Sequence, residues 1–496
     1  MSADAASDSA PAARAGGGDV LDSGEAGGRF IRGGSMRVLA YGGGVLASLA
    51  SVPLVTRHLG PGGWGRYLTV TSLLFIVQAL TEGGVANVGV RQYSNSAPGE
   101  RRRLMRDLLG LRIALTLTGV LAAVAFALLA GYPAVLVEGT AIAGFGLLLL
   151  NLQYTLTVPL MAELRLGWQA ANDFLGQFVT ALSMIALVLA GATLLPFYAV
   201  SSLAALATLA LTVGLVRRDT PLRPSFRISR WRSLMAESVV YAAATALGAV
   251  YFRIVIVALS LIATAKATGY YSLAFRILDV VNAIPWLLVT SAFPILARAA
   301  RDDRQRLRYA LQRLCEGSLV LGGWLALCLV AGAPFAVSVV GGGKYHPSIE
   351  LLRIIGAGVP ATFLLATWSF ALLSLRLYRQ LMAANGLIVA VALALSAGLI
   401  EADGAQGAAL VTVTLEVLLA ASYLLILVRS HPELRPSLGA VPRILAALAL
   451  AFAAAVALHG HAVLATLAGS AVFALALLVL RALPQELLVA LRERRG

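Results

Sequence analysis

Apolar residues in this chain come in blocks of about 20, separated by short polar or basic connections. A helix of that length rises far enough to cross a hydrocarbon core of roughly 30 Å. Apolar positions within the blocks do not alternate with period two, which excludes the strands of a membrane barrel. Lipid tolerates no other spanning backbone than a helix or a closed barrel. Fourteen spans are predicted, near residues 37–57, 67–87, 107–130, 139–161, 171–190, 195–215, 235–262, 270–297, 314–336, 347–374, 380–400, 406–428, 443–459 and 463–482. The last two are short. The fold class is an all-α polytopic membrane protein.

The connections sort by charge. Those after the second, sixth, eighth and twelfth spans carry VRQYSNSAPGERRRLMRD, RRDTPLRPSFRISRWR, ARAARDDRQRLRYALQR and RSHPELRPS, and the chain ends in RERRG. Odd-numbered connections such as GYPAVLVEGT, SAGLIEADGAQG and HGHAV are nearly free of Arg and Lys; on the outer side we place only Arg57, Arg66, Lys266 and Lys344. Basic residues collect on the cytoplasmic side of membrane proteins. The alternation therefore supports the span count and predicts both termini in the cytoplasm.

An internal repeat is visible. GGWGRYLTV follows the first span and KATGYYSLA the seventh, each placing a Gly-x-Tyr at the start of the next helix: Gly65 to Tyr67 and Gly269 to Tyr271. LRLGWQ from Leu164 and LRLYRQ from Leu375 occupy matching junctions at nearly the same interval. The pairs suggest a duplication of six helices. An even number gives both halves the same orientation, so the lobes are related by an axis along the membrane normal. The expected organisation is a disordered cytoplasmic tail over 1–34, an amino-terminal lobe over 35–222 and a carboxy-terminal lobe over 223–430. Residues 431–496 hold the last two spans and a cytoplasmic end.

Composition narrows the function classes. Of the residues, 59% are hydrophobic and only 13% charged, with mean hydropathy +0.84; soluble domains carry about a quarter charged residues. The net charge of +15 lies in loop arginines that set topology, so no nucleic-acid partner is expected. Cys315 and Cys328 lie about 20 Å apart along one helix, too far for a disulfide, and read as small core residues. No HExxH or metal-spaced Cys/His set is present. HGH at 459–461 reads as an interface turn, and GGGK at 341–344 lacks the spacing and the following Ser or Thr of a phosphate loop. The chain is expected to be no enzyme and to need no cofactor.

Charges inside the spans are the candidate chemistry. The stretch VYFRIVIVALS buries Arg253 in an apolar run. Counted from the turn near 263–268, Arg253 on the seventh span and Arg276 and Asp279 on the eighth lie at similar depth, about 15–20 Å from that turn. Asp279 can neutralise either arginine, which leaves one positive charge. Facing lipid, an arginine costs at least about 2.5 kcal/mol; facing a polar cavity it can hold an anion bidentately. Glu82 reads either as a helix-end residue at the interface or as a gate or proton site, and Glu416 in the twelfth span is a similar candidate. Arg57, Arg91 and Arg353 sit near span ends where snorkelling suffices, with Glu350 placed to pair with Arg353. Tyr241 and Tyr251 read as helix-packing residues that are also placed to line a cavity.

Four segments in order resemble polysaccharide flippases of the Wzx type, in the superfamily of multidrug, oligosaccharidyl-lipid and polysaccharide exporters. They are PLVTRHLGPGGWGRYLTVTSLLFIVQALTEGGVANVGVRQYS, YFRIVIVALSLIATAKATGYYSLAFRILDVVNAIPWLLVTSAFPILARAA, GGGKYHPSIELLRIIGAG and GAQGAALVTVTLEVLL. The chain departs from that pattern at Val255, where relatives often have an acid, and at Glu82, where Asp is usual. The resemblance implies a bacterial plasma-membrane protein that moves undecaprenyl-pyrophosphate-linked oligosaccharide to the outer leaflet by alternating access, driven by an ion gradient. Arg253 or Arg276 would contact the pyrophosphate, with Asp279, Glu82 and Glu416 as ion-pair or coupling residues. Implied partners are the lipid-linked oligosaccharide, membrane lipids, and the polymerase and glycosyltransferases of a surface polysaccharide. The alternatives are a cation-coupled exporter of small molecules, the lipid II flippase branch, and a polymerase or ligase of lipid-linked glycans.

Overall fold

The computed structural model describes residues 24–482, apart from 83, 164, 219, 237, 238, 438 and 459. The described residues form helices and turns without strands. In the first half these are α1 (Gly24–Glu82), α2 (Val85–Asn95), α3 (Pro98–Leu129), α4 (Ala134–Leu156), α5 (Val158–Ala162), α6 (Leu166–Leu189) and α7 (Leu194–Val216). After the connecting α8 (Ile228–Ala236) come α9 (Val239–Ile262), α10 (Ala265–Asp302), α11 (Arg304–Ala331), α12 (Ala333–Val340), α13 (Ser348–Ala357), α14 (Val359–Ser374) and α15 (Tyr378–Ser430). The chain closes on α16 (Val441–Ala457) and α17 (Ala462–Val479).

The predicted spans follow this order of helices, with local breaks. α1 and α15 each contain two spans and fold back at a glycine of positive φ, Gly60 (φ 65°) and Gly404 (φ 56°); no side chain is easily carried there. The second span stops at Glu82, and Gly84, again left-handed, starts α2. The tenth span is α13 and α14, bent by 43°, with Pro360 in the first turn of α14 where its missing N–H costs nothing. Among the described residues, seven helices are by length and composition able to cross a membrane alone, or eight with the bent pair joined. α1 already begins at Gly24, inside the stretch read as a tail. Composition marks polarity and does not mark where a helix leading into a span starts.

The packing repeats as the sequence repeats. In the first half α1 packs on α6, α4 on α7, α3 on α4 and α1 on α3; in the second, α9 packs on α15, α14 on α15, α11 on α14 and α10 on α11. The lobes meet mainly where α1 lies against α9 and α10. α16 and α17 pair with each other and rest on α11, outside the duplication.

At the end bearing the short turns the lobes touch closely. A Cβ on Gly65 would fall on the Ala265 carbonyl oxygen and lie 2.7 Å from the Gly269 amide nitrogen; one on Gly269 would fall on the Pro61 carbonyl oxygen. The two repeat-related glycines therefore face each other. Beside them Arg57 donates from Nη2 to the carbonyls of Ser338 and Val339, at 3.0 and 2.7 Å. It caps the carboxy terminus of α12, where cations are favoured, in place of the snorkelling predicted for it. Thr56 Oγ1 donates to the Val340 carbonyl at 2.6 Å, and Tyr345 Oη donates to the Thr56 carbonyl at 3.1 Å.

Candidate functional site

The α9–α10 hairpin sets the site. Thr264 caps α10 by accepting from the Ala267 amide at 3.2 Å, which fixes a turn only two residues long between Ile262 and Ala265. From that tight turn Arg253 lies about 14 Å back along α9 and Arg276 about 17 Å forward along α10, at 1.5 Å per residue. The structure brings both arginines to Asp279. Arg253 Nη2 donates to Asp279 Oδ2 at 2.9 Å, whereas Arg276 Nη1 is 3.8 Å from the same oxygen. The Arg253 side chain is 13% exposed and that of Arg276 34%, so Arg253 takes the carboxylate and Arg276 keeps its donors open.

Three rings surround the Arg253 guanidinium, those of Phe75, Phe252 and Phe275, with centroids 5.0, 5.3 and 5.2 Å from its carbon. Their π faces attract the cation. They also account for Nε and Nη1, which are buried without a hydrogen-bond partner. Phe75 comes from α1, so this cage ties the two lobes together. Both arginines line a cavity of about 220 Å³ between the lobes, whose wall includes Tyr67, Thr71, Ser72 and Thr180. With Asp279 ionised, two guanidinium groups and one carboxylate leave one positive charge at its edge.

A second cavity of about 660 Å³ opens inside the carboxy-terminal lobe, among α9, α10, α14 and α15. Phe75 and Phe252 lie on its rim, and Phe75 also lines the smaller cavity. Its wall is aromatic, with a few polar groups from Asn282, Ser369 and Asn385.

The remaining candidates are placed apart from the arginines. Glu416 is 2% exposed and accepts from Thr362 Oγ1 at 2.7 Å, in a niche with Tyr251, Phe252 and Phe275. Glu82 ends the second span, partly buried, near enough to Arg112 on α3 for their charges to interact. Arg112 escaped the sequence reading. It is fully buried, donating to the Thr81 carbonyl at 3.1 Å and to Thr155 Oγ1 at 3.2 Å. The signal was available in Thr116, one turn further along the same helix, and in Asn151 and Thr155, one turn apart on α4. Glu350 and Arg353 are both exposed and form no ion pair among the described residues. Tyr251 lines the larger cavity; the side chain of Tyr241 and residue His459 lie outside what is described.

Several solved transporter structures share this fold. A lipid II flippase, MurJ, in an inward closed conformation superposes with TM-score 0.72 at 12% identity, over 89% of this chain and 97% of that one. An inward-facing multidrug resistance MATE family transporter of the MOP superfamily gives 0.64 at 13% identity, over 79% and 95%. A MOP superfamily transporter from Pyrococcus furiosus, described by the reverse polarity of its binding pocket, gives 0.55 at 14% identity, over 82% and 96%. No curated protein matches the sequence. The family model for polysaccharide biosynthesis proteins matches residues 30–300, a stretch that contains Glu82, Arg253, Arg276 and Asp279. The chain is a multi-pass membrane protein with a flippase-type transporter fold, and it belongs to the polysaccharide biosynthesis protein family.

Proposed function

We propose that the protein flips an undecaprenyl-pyrophosphate-linked oligosaccharide from the inner to the outer leaflet of a bacterial plasma membrane by alternating access. The observation that carries this is Arg276. A guanidinium left partly free at the wall of a cavity between two lobes suits a pyrophosphate, which it can hold through paired hydrogen bonds. Export of cationic drugs calls for the opposite cavity charge. The basic connections face the cytoplasm with both termini, and the end closed by Gly65 and Gly269 faces outward. In this state the outer end is shut. Asp279 and Glu416, being buried carboxylates, are the places where a coupling proton or cation would act.

The test replaces Arg276 by Ala in a strain whose surface polysaccharide depends on this protein. Export is expected to fall at least tenfold at normal membrane levels of the variant, the worth of about 1.4 kcal/mol. Undiminished export by R276A would sink the reading. The likeness to the lipid II flippase over most of both chains favours one second substrate, since lipid II is also a lipid-linked pyrophosphate. Rescue of a strain depleted of its lipid II flippase would select that substrate.

A further inference from the structure

The larger cavity raises a question that the arginines do not answer. Asn282 lines it, is 4% exposed, and neither its Oδ1 nor its Nδ2 meets a hydrogen-bond partner among the described residues. Burying an amide without partners is unfavourable, so its position calls for a polar occupant. Asn282 stands three residues after Asp279 and six after Arg276 on α10, one helix face carrying guanidinium, carboxylate and amide in a row. Trp286, four residues further, lines the same cavity and is 46% exposed; its ring meets Phe370 at 5.5 Å. Phe293, another turn or two along, meets Phe370 at 5.5 Å as well. Asn282 lies about 9 Å from Arg276 along the axis and Trp286 about 15 Å, at 1.5 Å per residue.

We infer that this cavity is a sugar subsite, holding the pyranose rings next to the pyrophosphate, with Asn282 bonded to ring hydroxyls and Trp286 and Phe370 packed on ring faces. The inference rests on the proposed flippase function. A pyranose has hydroxyls that both donate and accept, which matches the carbonyl oxygen and amino group of one amide. Its C–H face is apolar and packs on an aromatic ring. A volume of about 660 Å³ falls within the roughly 300–1,000 Å³ of small-molecule sites, which are mostly apolar with a few placed polar groups. An isoprenoid tail fits the rings but would seal Asn282 under hydrocarbon. The shared Phe75 joins this cavity to the one lined by Arg276, so phosphate and sugar can be held together.

Binding to the purified full-length protein in nanodiscs tests this with two probes: undecaprenyl pyrophosphate, and the same lipid carrying one glucose, galactose or N-acetylglucosamine. At least one sugar-bearing lipid should bind the unaltered protein about tenfold more tightly than the bare lipid. Asn282→Ala, Asn282→Leu and Trp286→Leu should each erase most of that increment while leaving bare-lipid affinity unchanged, which also shows that the variants are folded. Arg276→Ala should weaken both lipids alike. Equal binding of bare and sugar-bearing lipids, or equal weakening of both by the Asn282 variants, overturns the subsite and leaves the flippase reading standing. Losses in the Trp286 and Asn282 variants that fall as heavily on bare undecaprenyl pyrophosphate as on the sugar-bearing lipids identify a tail site instead and also overturn it. Binding of neither lipid to the unaltered protein defeats the flippase reading and the subsite with it.

Discussion

Arg253 and Arg276 share a carboxylate, yet their surroundings assign them different work. Arg253 is held by Asp279 at 2.9 Å and by three phenylalanine rings, the setting of a brace. Replacing it with Leu leaves a buried carboxylate with only the longer Arg276 contact, and removal of one member of a buried pair costs about 3–5 kcal/mol. Thermal unfolding of R253L should therefore drop markedly. The double variant R253L/D279L should recover most of the loss, because two apolar groups leave no charge uncompensated. It should also still bind a pyrophosphate-linked lipid if Arg276 holds the anion; a fully folded double variant that has lost that binding would move the anion contact to Arg253. Counting residues from the turn placed the three charges level, since helical rise is invariant. The choice of Arg253 for the carboxylate was not readable, because it depends on Phe75, which arrives from α1 and is distant in sequence. Arg112 was missed for a related reason. In RDLLGLRIALT it looks like the end of a basic connection, and only packing shows it walled in by Thr81 and Thr155.

The helical hairpins repay the same comparison. The two Gly-x-Tyr motifs were legible as a repeat, but that their glycines face each other across the lobes follows only from the pairing of α1 with α10. After those glycines the tyrosines diverge. Tyr67 stacks between Trp64 and Tyr198, with centroids 5.6 and 5.7 Å away, whereas Tyr271 hydrogen-bonds Thr412 across 2.6 Å. A methyl group on Gly269 would occupy the place of the Pro61 carbonyl, and backbone cannot step aside as a side chain can. G269A should therefore hold the hairpins at this end apart. A Cβ at Gly62 would stand 3.9 Å from Lys266 Cγ, so Gly62→Cys with Lys266→Cys, in a chain with Cys315 and Cys328 changed to Ser, reports closure by crosslinking. Strong crosslinking is expected in that parent and little after Gly269→Ala, with transport falling in parallel. Unchanged crosslinking would mean the seam is looser than its geometry.

In the whole molecule the two carboxy-terminal helices stand apart from the twelve that repeat. Their core joins Ile444, Ala447, Ala451 and Phe473 to one face of α11 at Leu327, and Trp324 Nε1 donates to Ser470 Oγ at 3.1 Å. The connection into them is pinned by Gln312, which accepts from the Ser437 amide at 2.7 Å and donates to its carbonyl at 3.1 Å. The hydropathy of these helices marked them in the sequence as two short spans. Their docking site was not, because small residues such as Ala447 and Ala451 mark a close contact without naming the partner. Among the described residues, none of the cross-lobe contacts at the Gly65–Gly269 seam given above involves them, so motion of one lobe against the other should carry them as passengers on α11. A chain ending at residue 440 should then keep the transport cycle while losing thermal stability, since the α11 face around Leu327 would be left uncovered. Export normalised to membrane level, measured beside the unfolding temperature, separates the two effects. A truncated protein as stable as the full chain but unable to export would instead place α16 and α17 in the transport path itself.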